Sequence, residues 1–181
     1  MATGQWIETD TPRWWFDSGA LSLDFGQSPV ETVDELGAWL RERFDRLGDD
    51  TSERDLVDAL ALRAAVNRLA RAQVEAAEAQ ADDVDTVNLF AATPDIPPAL
   101  DGGHRQAGRS SWRTGQALST IARDAVQLLA ANTEGRIREC GADDCDLVFY
   151  DESRTNNRRW CSMQRCGNRA KVRAFRAKEK A

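Results

Sequence analysis

The stretch from Arg159 to Arg169 reads RWCSMQRCGNR and contains two cysteines separated by four residues. A second pair with the same gap lies upstream, so the chain carries the pattern C-x4-C-x15-C-x4-C over Cys140, Cys145, Cys161 and Cys166. Two close pairs with an intervening segment can bring four thiolates around one tetrahedral Zn²⁺. The pattern therefore predicts one structural zinc site. Because the gaps are longer than the common two residues, two disulfides and simple buried thiols stay open as alternatives.

The segments around the cysteines predict one local layout. GRIREC (135–140) and DLVFYD (146–151) can form two strands joined by the turn GADD, with a cysteine pair at the hairpin tip. CSMQRCGNRAKVRAFRAK (161–178) can place the second pair in the first turns of a C-terminal helix. This is a treble-clef-like arrangement. A unit of about forty residues has little core of its own, so zinc should supply much of its folding free energy. Four cysteine ligands leave no open position for catalysis.

The charges of the chain are unevenly distributed. Residues 154–181 hold ten Lys or Arg and one acid, whereas residues 1–153 hold 14 bases and 29 acids. Arg165, Arg169, Arg173 and Arg176 follow helical spacing and would share one face. Such a stripe suits contacts with nucleic-acid phosphates, although a basic helix face is often only solvated. Some of these arginines would instead offset the formal charge of minus 2 on a zinc ion with four thiolates.

Hydrophobic periodicity predicts a mostly helical unit before the cysteines. GALSLDF (19–25) alternates and predicts a strand, and Thr32-Val33-Asp34-Glu35 has the form of a capping box that begins a helix. Further helices are predicted from Thr51-Ser52 to about Ala79 and over 115–132. The segment 81–93 predicts a weaker helix or turn, 94–108 a loop, and SSWRT (110–114) a short strand.

The predicted fold class is α+β: an α/β-type N-terminal domain that is mostly helical, followed by a treble-clef-like zinc finger. We place the domains at 1–135 and 136–181, with a boundary near Asn132 to Gly135.

The sequence RWCSMQRCGNRAKVRAFR (159–176) resembles the CGNR zinc finger, whose name is spelled by Cys166, Gly167, Asn168 and Arg169. GALSLDF, AWLRERF (38–44) and ALRAAVNRL (61–69) resemble the ABATE domain that precedes the finger in this family. The resemblance implies a stress-responsive transcription regulator with a DNA-binding finger and a sensing or dimerising N-terminal domain. It also implies that the four cysteines bind zinc. The family usually has Asn-Thr after the LDF motif, where this chain has Gly26-Gln27.

Within the finger, we expect Gly167 to permit a close backbone approach. Trp160, Asn168 and Arg169 should be structural, the last two as braces of the zinc knuckle. The residues expected to contact DNA are Arg158, Arg159, Arg165, Lys171, Arg173 and Arg176. An RNA-binding or protein-interaction module is the alternative function, since treble-clef-like fingers serve all three purposes.

In the N-terminal domain, the candidates for a ligand pocket are Trp14, Trp15, Asp24, Trp39 and Arg63. For Asp24 and Arg63 a structural ion pair is the simpler expectation, and for the tryptophans core packing. A small-molecule effector and a homodimer are possible partners of this domain, the latter because one small finger offers limited contact area.

Other function classes receive little support. His104 is the only histidine and lies in a Gly-rich loop, and no phosphate-binding glycine loop or nucleophile elbow is present, so we expect no enzyme. No run approaches the roughly 18 apolar residues of a transmembrane helix. We expect a cytoplasmic protein without membrane contact, whose cysteines stay reduced.

Overall fold

The computed structural model describes residues 4–7, 14–98, 111–130 and 135–179. Parts of three predictions fall outside these residues. They are His104, residues 99–108 of the predicted loop at 94–108, and residues 132–134 of the predicted domain boundary. The elements follow in this order: β1 (Gln5–Ile7), β2 (Trp14–Phe16), α1 (Leu21–Gly26), α2 (Val33–Arg41), α3 (Glu53–Glu75), α4 (Ala81–Ala91), α5 (Thr114–Ala130), β3 (Ile137–Glu139), β4 (Val148–Tyr150), a π-helical turn (Met163–Gly167) and α6 (Asn168–Glu179). The fold is α+β, with a helical N-terminal part and a small zinc finger. None of the described helices combines the length and apolar character needed to span a membrane.

The predicted strand at 19–25 is wrong, because these residues form α1. Every residue of α1 is buried, so its apolar side chains need no helical periodicity. The start of α1 is tied to α5, since Asp124 accepts a hydrogen bond from the backbone N–H of Ser22 at 2.8 Å. A short apolar run in a fully buried helix looks the same as a buried strand in sequence.

The capping boxes position the two helices that build the main core. Thr32 and Glu35 cap α2 reciprocally, as predicted, and Ser52 with Asp55 caps α3 in the same way. The α3 helix ends at Glu75, about four residues before the predicted end, where Ala76 adopts a left-handed conformation. The core contains apolar residues from α1, α2, α3 and α5, with Leu36, Leu40, Leu62 and Ile121 fully buried.

The remaining predicted elements of the N-terminal part are a helix at α4, a long helix at α5 and a short strand at 110–114. The first two form, although α4 buries only Asp83 and Val87. The third is reduced to one isolated parallel bridge between Trp112 and Leu47.

The predicted hairpin of the finger forms from β3 and β4, which pair antiparallel. Its two faces contact different surroundings because side chains alternate along a strand. Val148 and Tyr150 pack with Ala20, Leu23 and Ala70 of the helical part. Phe149 points to the opposite side and packs with the cysteines. The hairpin is therefore a layer between the helices and the cysteine cluster.

Gln27 joins the helical part to this layer. Its side-chain amide oxygen accepts from the N–H of Val148 at 2.6 Å, and its amide nitrogen donates to the carbonyl of Val148 at 2.9 Å. This is the hydrogen-bonding pattern of a neighbouring strand, supplied by one side chain. Gln27 is the second of the two residues at which the chain departs from the family's usual Asn-Thr.

The strands β1 and β2 form a second hairpin, in register Gln5 to Phe16. Phe16 is fully buried and packs with Phe149 and the cysteines. The hairpin is also tied to the helices, since the buried carboxylate of Asp24 accepts hydrogen bonds from the backbone N–H groups of Gly4 and Ser18. The first hairpin thus contacts both parts of the protein.

We predict that Gln27→Ala lowers the free energy of unfolding by about 1–3 kcal/mol, because it leaves the buried N–H of Val148 without its acceptor. The measurement is urea denaturation of the zinc-loaded protein. Gln80→Ala is the matched control, since Gln80 is exposed and its side chain does not cap α4. Equal stabilities of the two variants would contradict the role of Gln27.

Candidate metal centre and basic groove

The four cysteines lie together at one point of the finger. Cys140 follows β3, Cys145 precedes β4, and Cys161 and Cys166 lie immediately before and within the π-helical turn. All four Sγ atoms lie within 4.8 Å of one another, and three of the residues are buried. The separations Cys145–Cys161 and Cys161–Cys166 are 3.6 and 3.5 Å. A tetrahedral zinc ion with Zn–S bonds of about 2.3 Å separates its sulfurs by about 3.8 Å.

This geometry decides between the alternatives that the cysteine spacing left open. The thiols are free, and the distances between their Sγ atoms far exceed the roughly 2 Å of an S–S bond. The thiols also do not behave as independent groups. Burial raises the pKa of Cys140 to about 11. The hydrogen bond from Cys161 lowers the pKa of Cys145 to about 5, and the same bond raises that of Cys161. Four thiolates so close together require a cation, and the cluster is the site of one structural zinc ion.

Arg169 connects the two cysteine pairs. Its guanidinium donates to Sγ of Cys166 at 3.1 Å and to Oδ2 of Asp144 at 2.8 Å. The bond to Cys166 raises the pKa of Arg169. Desolvation works to raise the pKa of Asp144, but the charges of Arg169 and Arg173 outweigh it and hold that pKa below its ordinary value. The geometry is that of the predicted brace, linking a zinc ligand on the helix to the tip of the hairpin.

The other residues of the CGNR motif lie at the turn that carries Cys166. Asn168 donates from its side chain to the carbonyl of Gln164 at 3.2 Å. A Cβ atom on Gly167 would lie 3.2 Å from Cδ1 of Trp160 and closer still to the sulfur of Met163. On the other side of Trp160, a Cβ on Gly141 would lie 3.3 Å from the ring. The Trp160 ring therefore fills the space between the two turns that carry the cysteine pairs. A side chain at Gly141 or Gly167 would occupy part of that space.

Arg158, one of the expected DNA contacts, directs its guanidinium into the finger. Its guanidinium donates to the carbonyls of Trp160, Cys161 and Asp17, and it lies 4.2 Å from the centroid of the Phe149 ring. These contacts use the side chain inside the finger, where it holds the chain before Cys161 in place. No sequence signal distinguishes this arginine from its neighbour Arg159, which is exposed.

Asp151 and Arg138 are structural residues that the sequence did not single out. Asp151 is fully buried, and its carboxylate accepts from the backbone N–H groups of Ser153 and Arg158. Burial works to raise its pKa, but these hydrogen bonds outweigh it and lower the pKa. Arg138 donates to the carbonyls of Gly135, Asn156 and Arg158. Together they shape the loop between β4 and Cys161. The only signal was an acid at the end of a predicted strand, which is too common to be informative.

The described residues include a concavity of about 760 Å³ between the first hairpin and α6. We call it the basic groove and define it by six of its lining residues, which are Trp14, Trp15, Arg165, Arg169, Arg173 and Arg176. Three of the expected DNA contacts, Arg165, Arg173 and Arg176, thus lie together. Arg173 also pairs with Asp143 and Asp144 at 3.2 and 3.3 Å.

The two other expected DNA contacts lie outside this lining. Lys171 is exposed on α6, and it has no ion-pair partner in the part of the chain that the structure describes. The guanidinium carbon of Arg159 lies 5.2 Å from the centroid of the Trp160 ring. Both leave their charge at the surface of the finger.

The five residues proposed for an N-terminal ligand pocket do not form one site. Trp14 and Trp15 line the basic groove, whereas Trp39 is buried in the main core beside Phe25. The expected pair of Asp24 and Arg63 is wrong, because each has other partners. Asp24 binds the first hairpin, and Arg63 donates to the carbonyls of Ser28 and Val30. Burial lowers the pKa of Arg43, and the charge of Asp24 partly offsets this effect.

An apolar cavity of about 250 Å³ lies elsewhere, between α3, α4 and α5. Leu69, Val87 and Leu129 are among its lining residues, and none of the five pocket candidates borders it.

Comparison with known families agrees with this structure. The model of the ABATE family, described as "Putative stress-induced transcription regulator", matches residues 19–132. The model of the CGNR zinc finger matches residues 136–179. The chain belongs to the ABATE family. A search of curated proteins finds no match. The strands β1 and β2 precede both matched regions, although Phe16 packs with the zinc ligands of the CGNR finger.

We predict that this ABATE protein, purified without chelator, contains about one zinc ion per chain. Cys166→Ser should abolish that stoichiometry, because the remaining three thiolates cannot complete the tetrahedral site. Metal analysis of the intact chain measures both. Full-length protein that is folded and contains no zinc would contradict the assignment.

We further predict that Arg169→Gln lowers zinc affinity about 10- to 100-fold, because it removes the donor to Sγ of Cys166. Competition with a chromogenic chelator measures the affinity. Arg173→Gln is the matched control: it also loses bonds to the aspartates of the hairpin tip, but within the described residues Arg173 does not donate to a thiol. If both variants lose affinity equally, the contact with the sulfur is not the cause.

Proposed function

We propose that the protein is a DNA-binding transcription regulator whose structural zinc finger contacts the nucleic acid through α6 and the basic groove. The observation that carries this proposal is the groove itself, whose lining includes four arginines along one helical face and two tryptophans. Phosphate contacts of this type supply most of the sequence-independent affinity for DNA. The regulatory and stress-responsive role is supported by the description of the ABATE family.

The balance of charges in the finger supports the same surface. The two aspartates of the hairpin tip, Asp143 and Asp144, are occupied by Arg169 and Arg173. Arg176 and Lys171 are exposed on α6, and neither has an ion-pair partner within the described ranges. The positive charge available to a partner therefore lies on α6 and on exposed arginines before it such as Arg159, rather than on all the bases of the C-terminal segment.

The helical part supports a regulatory role through its attachment to the finger. Gln27 at the end of α1 pairs with β4, and Arg71 of α3 donates to the carbonyl of Asp146 at 3.0 Å. A change in the packing of α1 against α3 would move β4, the strand between the two cysteine pairs. We propose the N-terminal domain as the sensing part on this ground.

A protein-interaction module is the second candidate. It is favoured by the exposed apolar side chains on α6, since Val172 is 48% and Phe175 63% exposed. An acidic partner with an apolar anchor could bind the same helix. The salt dependence of binding separates the two, because release of counterions from DNA gives a steep linear decrease of log K with log salt.

We predict that Lys171→Glu combined with Arg176→Glu weakens binding to a short labelled DNA duplex by at least about tenfold, because two phosphate contacts become repulsive. Fluorescence anisotropy at several salt concentrations measures the affinity and the salt slope. Arg54→Glu is the control, since Arg54 is an exposed arginine on α3, remote from the finger in sequence.

The double variant should keep its zinc and its melting temperature, because both residues are exposed and the described α6 buries none of its side chains. Wild-type affinity in the folded double variant would contradict DNA binding through α6. Binding of wild type to the duplex without a salt slope would contradict phosphate contacts altogether.

A further inference from the structure

Three side chains that line the basic groove each have a buried hydrogen-bond donor that finds no acceptor among the described residues. The donors are Nε1 of Trp14, Nη1 of Arg165 and Nε of Arg169. All three side chains line the groove, although Trp14 comes from the first hairpin and the arginines come from the finger. Buried donors are paired in the great majority of cases, and a buried donor left unpaired is unfavourable. Three unpaired donors on side chains that line one concavity indicate that the groove is built to receive an acceptor.

The positions of these donors are fixed by other contacts. The guanidinium carbon of Arg165 lies 4.7 Å from the centroid of the Trp14 ring, so the ring supports the guanidinium. Arg169 is held through its two other nitrogens by Cys166 and Asp144. Trp14 itself packs at 5.8 Å from the ring of Phe16, which is fully buried. These contacts hold the three side chains in place at the wall of the groove.

The charge of the groove selects an anionic acceptor. Its lining contains four arginines and one acid, Asp144, whose two oxygens already accept from Arg169 and Arg173. A phosphate group offers several acceptor oxygens, and the planar donor geometry of arginine matches it. A carbonyl or a neutral side chain would leave this excess of positive charge unbalanced.

We propose that Trp14, Arg165 and Arg169 form a subsite for one phosphodiester of the nucleic-acid backbone. The inference rests on the proposed DNA binding and goes further, because it makes the first hairpin part of the interface. That hairpin precedes both matched regions, so this half of the subsite is supplied by residues that neither family model covers. Trp15 of the same hairpin also lines the groove and is 48% exposed.

Two substitutions test the subsite on the full zinc-loaded chain. Arg165→Gln removes one charge, so the slope of log K against log salt should fall by about one unit for a short labelled DNA duplex. Trp14→Phe keeps an aromatic ring but removes the indole N–H together with the five-membered ring that carries it, a loss of ring size that the Trp6→Phe control shares. It should weaken binding roughly fivefold, the effect of one hydrogen bond, and leave the salt slope unchanged.

The controls separate this subsite from general damage. Trp6→Phe changes another tryptophan of the same hairpin that is not among the residues lining the groove, and Arg54→Gln removes one charge from α3. Both should bind as wild type does. Arg165→Lys keeps the charge and loses the planar fork, so it should weaken binding with an unchanged slope. Zinc content and melting temperature confirm that each variant is folded.

The outcomes distinguish the subsite from the proposed function. If Lys171→Glu with Arg176→Glu weakens binding while Trp14→Phe and Arg165→Gln bind as wild type does, the subsite is wrong and DNA binding stands. If wild type shows no salt-dependent binding, the proposed function is wrong and the subsite with it. Saturable displacement of the duplex by inorganic phosphate at constant ionic strength would indicate a site for free phosphate and overturn the backbone assignment.

Discussion

Convergence of four thiolates on one zinc ion is the constraint on which the C-terminal part of this structure depends. Three of the ligands, Cys140, Cys161 and Cys166, are buried in the same apolar cluster as Phe16 and Phe149. The metal site and the core of the finger are therefore one structure. A segment of this size buries too little apolar surface to fold by itself, so the position of β3, β4 and the π-helical turn relative to one another follows from the metal.

The same cluster explains why the first hairpin belongs physically with the last forty-five or so residues. Phe16 enters the finger from the start of the chain, and Arg158 of the finger donates back to the carbonyl of Asp17. Tyr150 donates its N–H to the carbonyl of Ser18 at 2.7 Å. Division of the chain by sequence position alone assigns the first hairpin to the helical domain. Its contacts join it to both, through Asp24 on one side and the zinc cluster on the other.

The sequence predicted the features whose physical cause is local. Cysteine spacing predicted the metal site, and the Thr32–Glu35 capping box predicted the start of α2. The errors have non-local causes. The sequence predicts a strand where α1 forms, because the burial of α1 comes from elements far along the chain. It also predicts an ion pair of Asp24 with Arg63, whereas the hydrogen-bond partners of Asp24 include Gly4 at the start of the chain. No local pattern in the sequence indicates the contact of Gln27 with β4, since its partner Val148 is 121 residues away.

The arginines of the finger show most clearly what a count of charges omits. Arg158 donates to backbone carbonyls, Arg169 holds a thiolate, and Arg173 is paired with aspartates. Each would have contributed equally to an estimate of basic surface from composition. The positive charge that remains for a partner includes the basic residues of α6 and of the groove that α6 forms with the first hairpin. The proposed recognition surface therefore depends on the packing of the first hairpin against the zinc site as well as on the basic residues of α6.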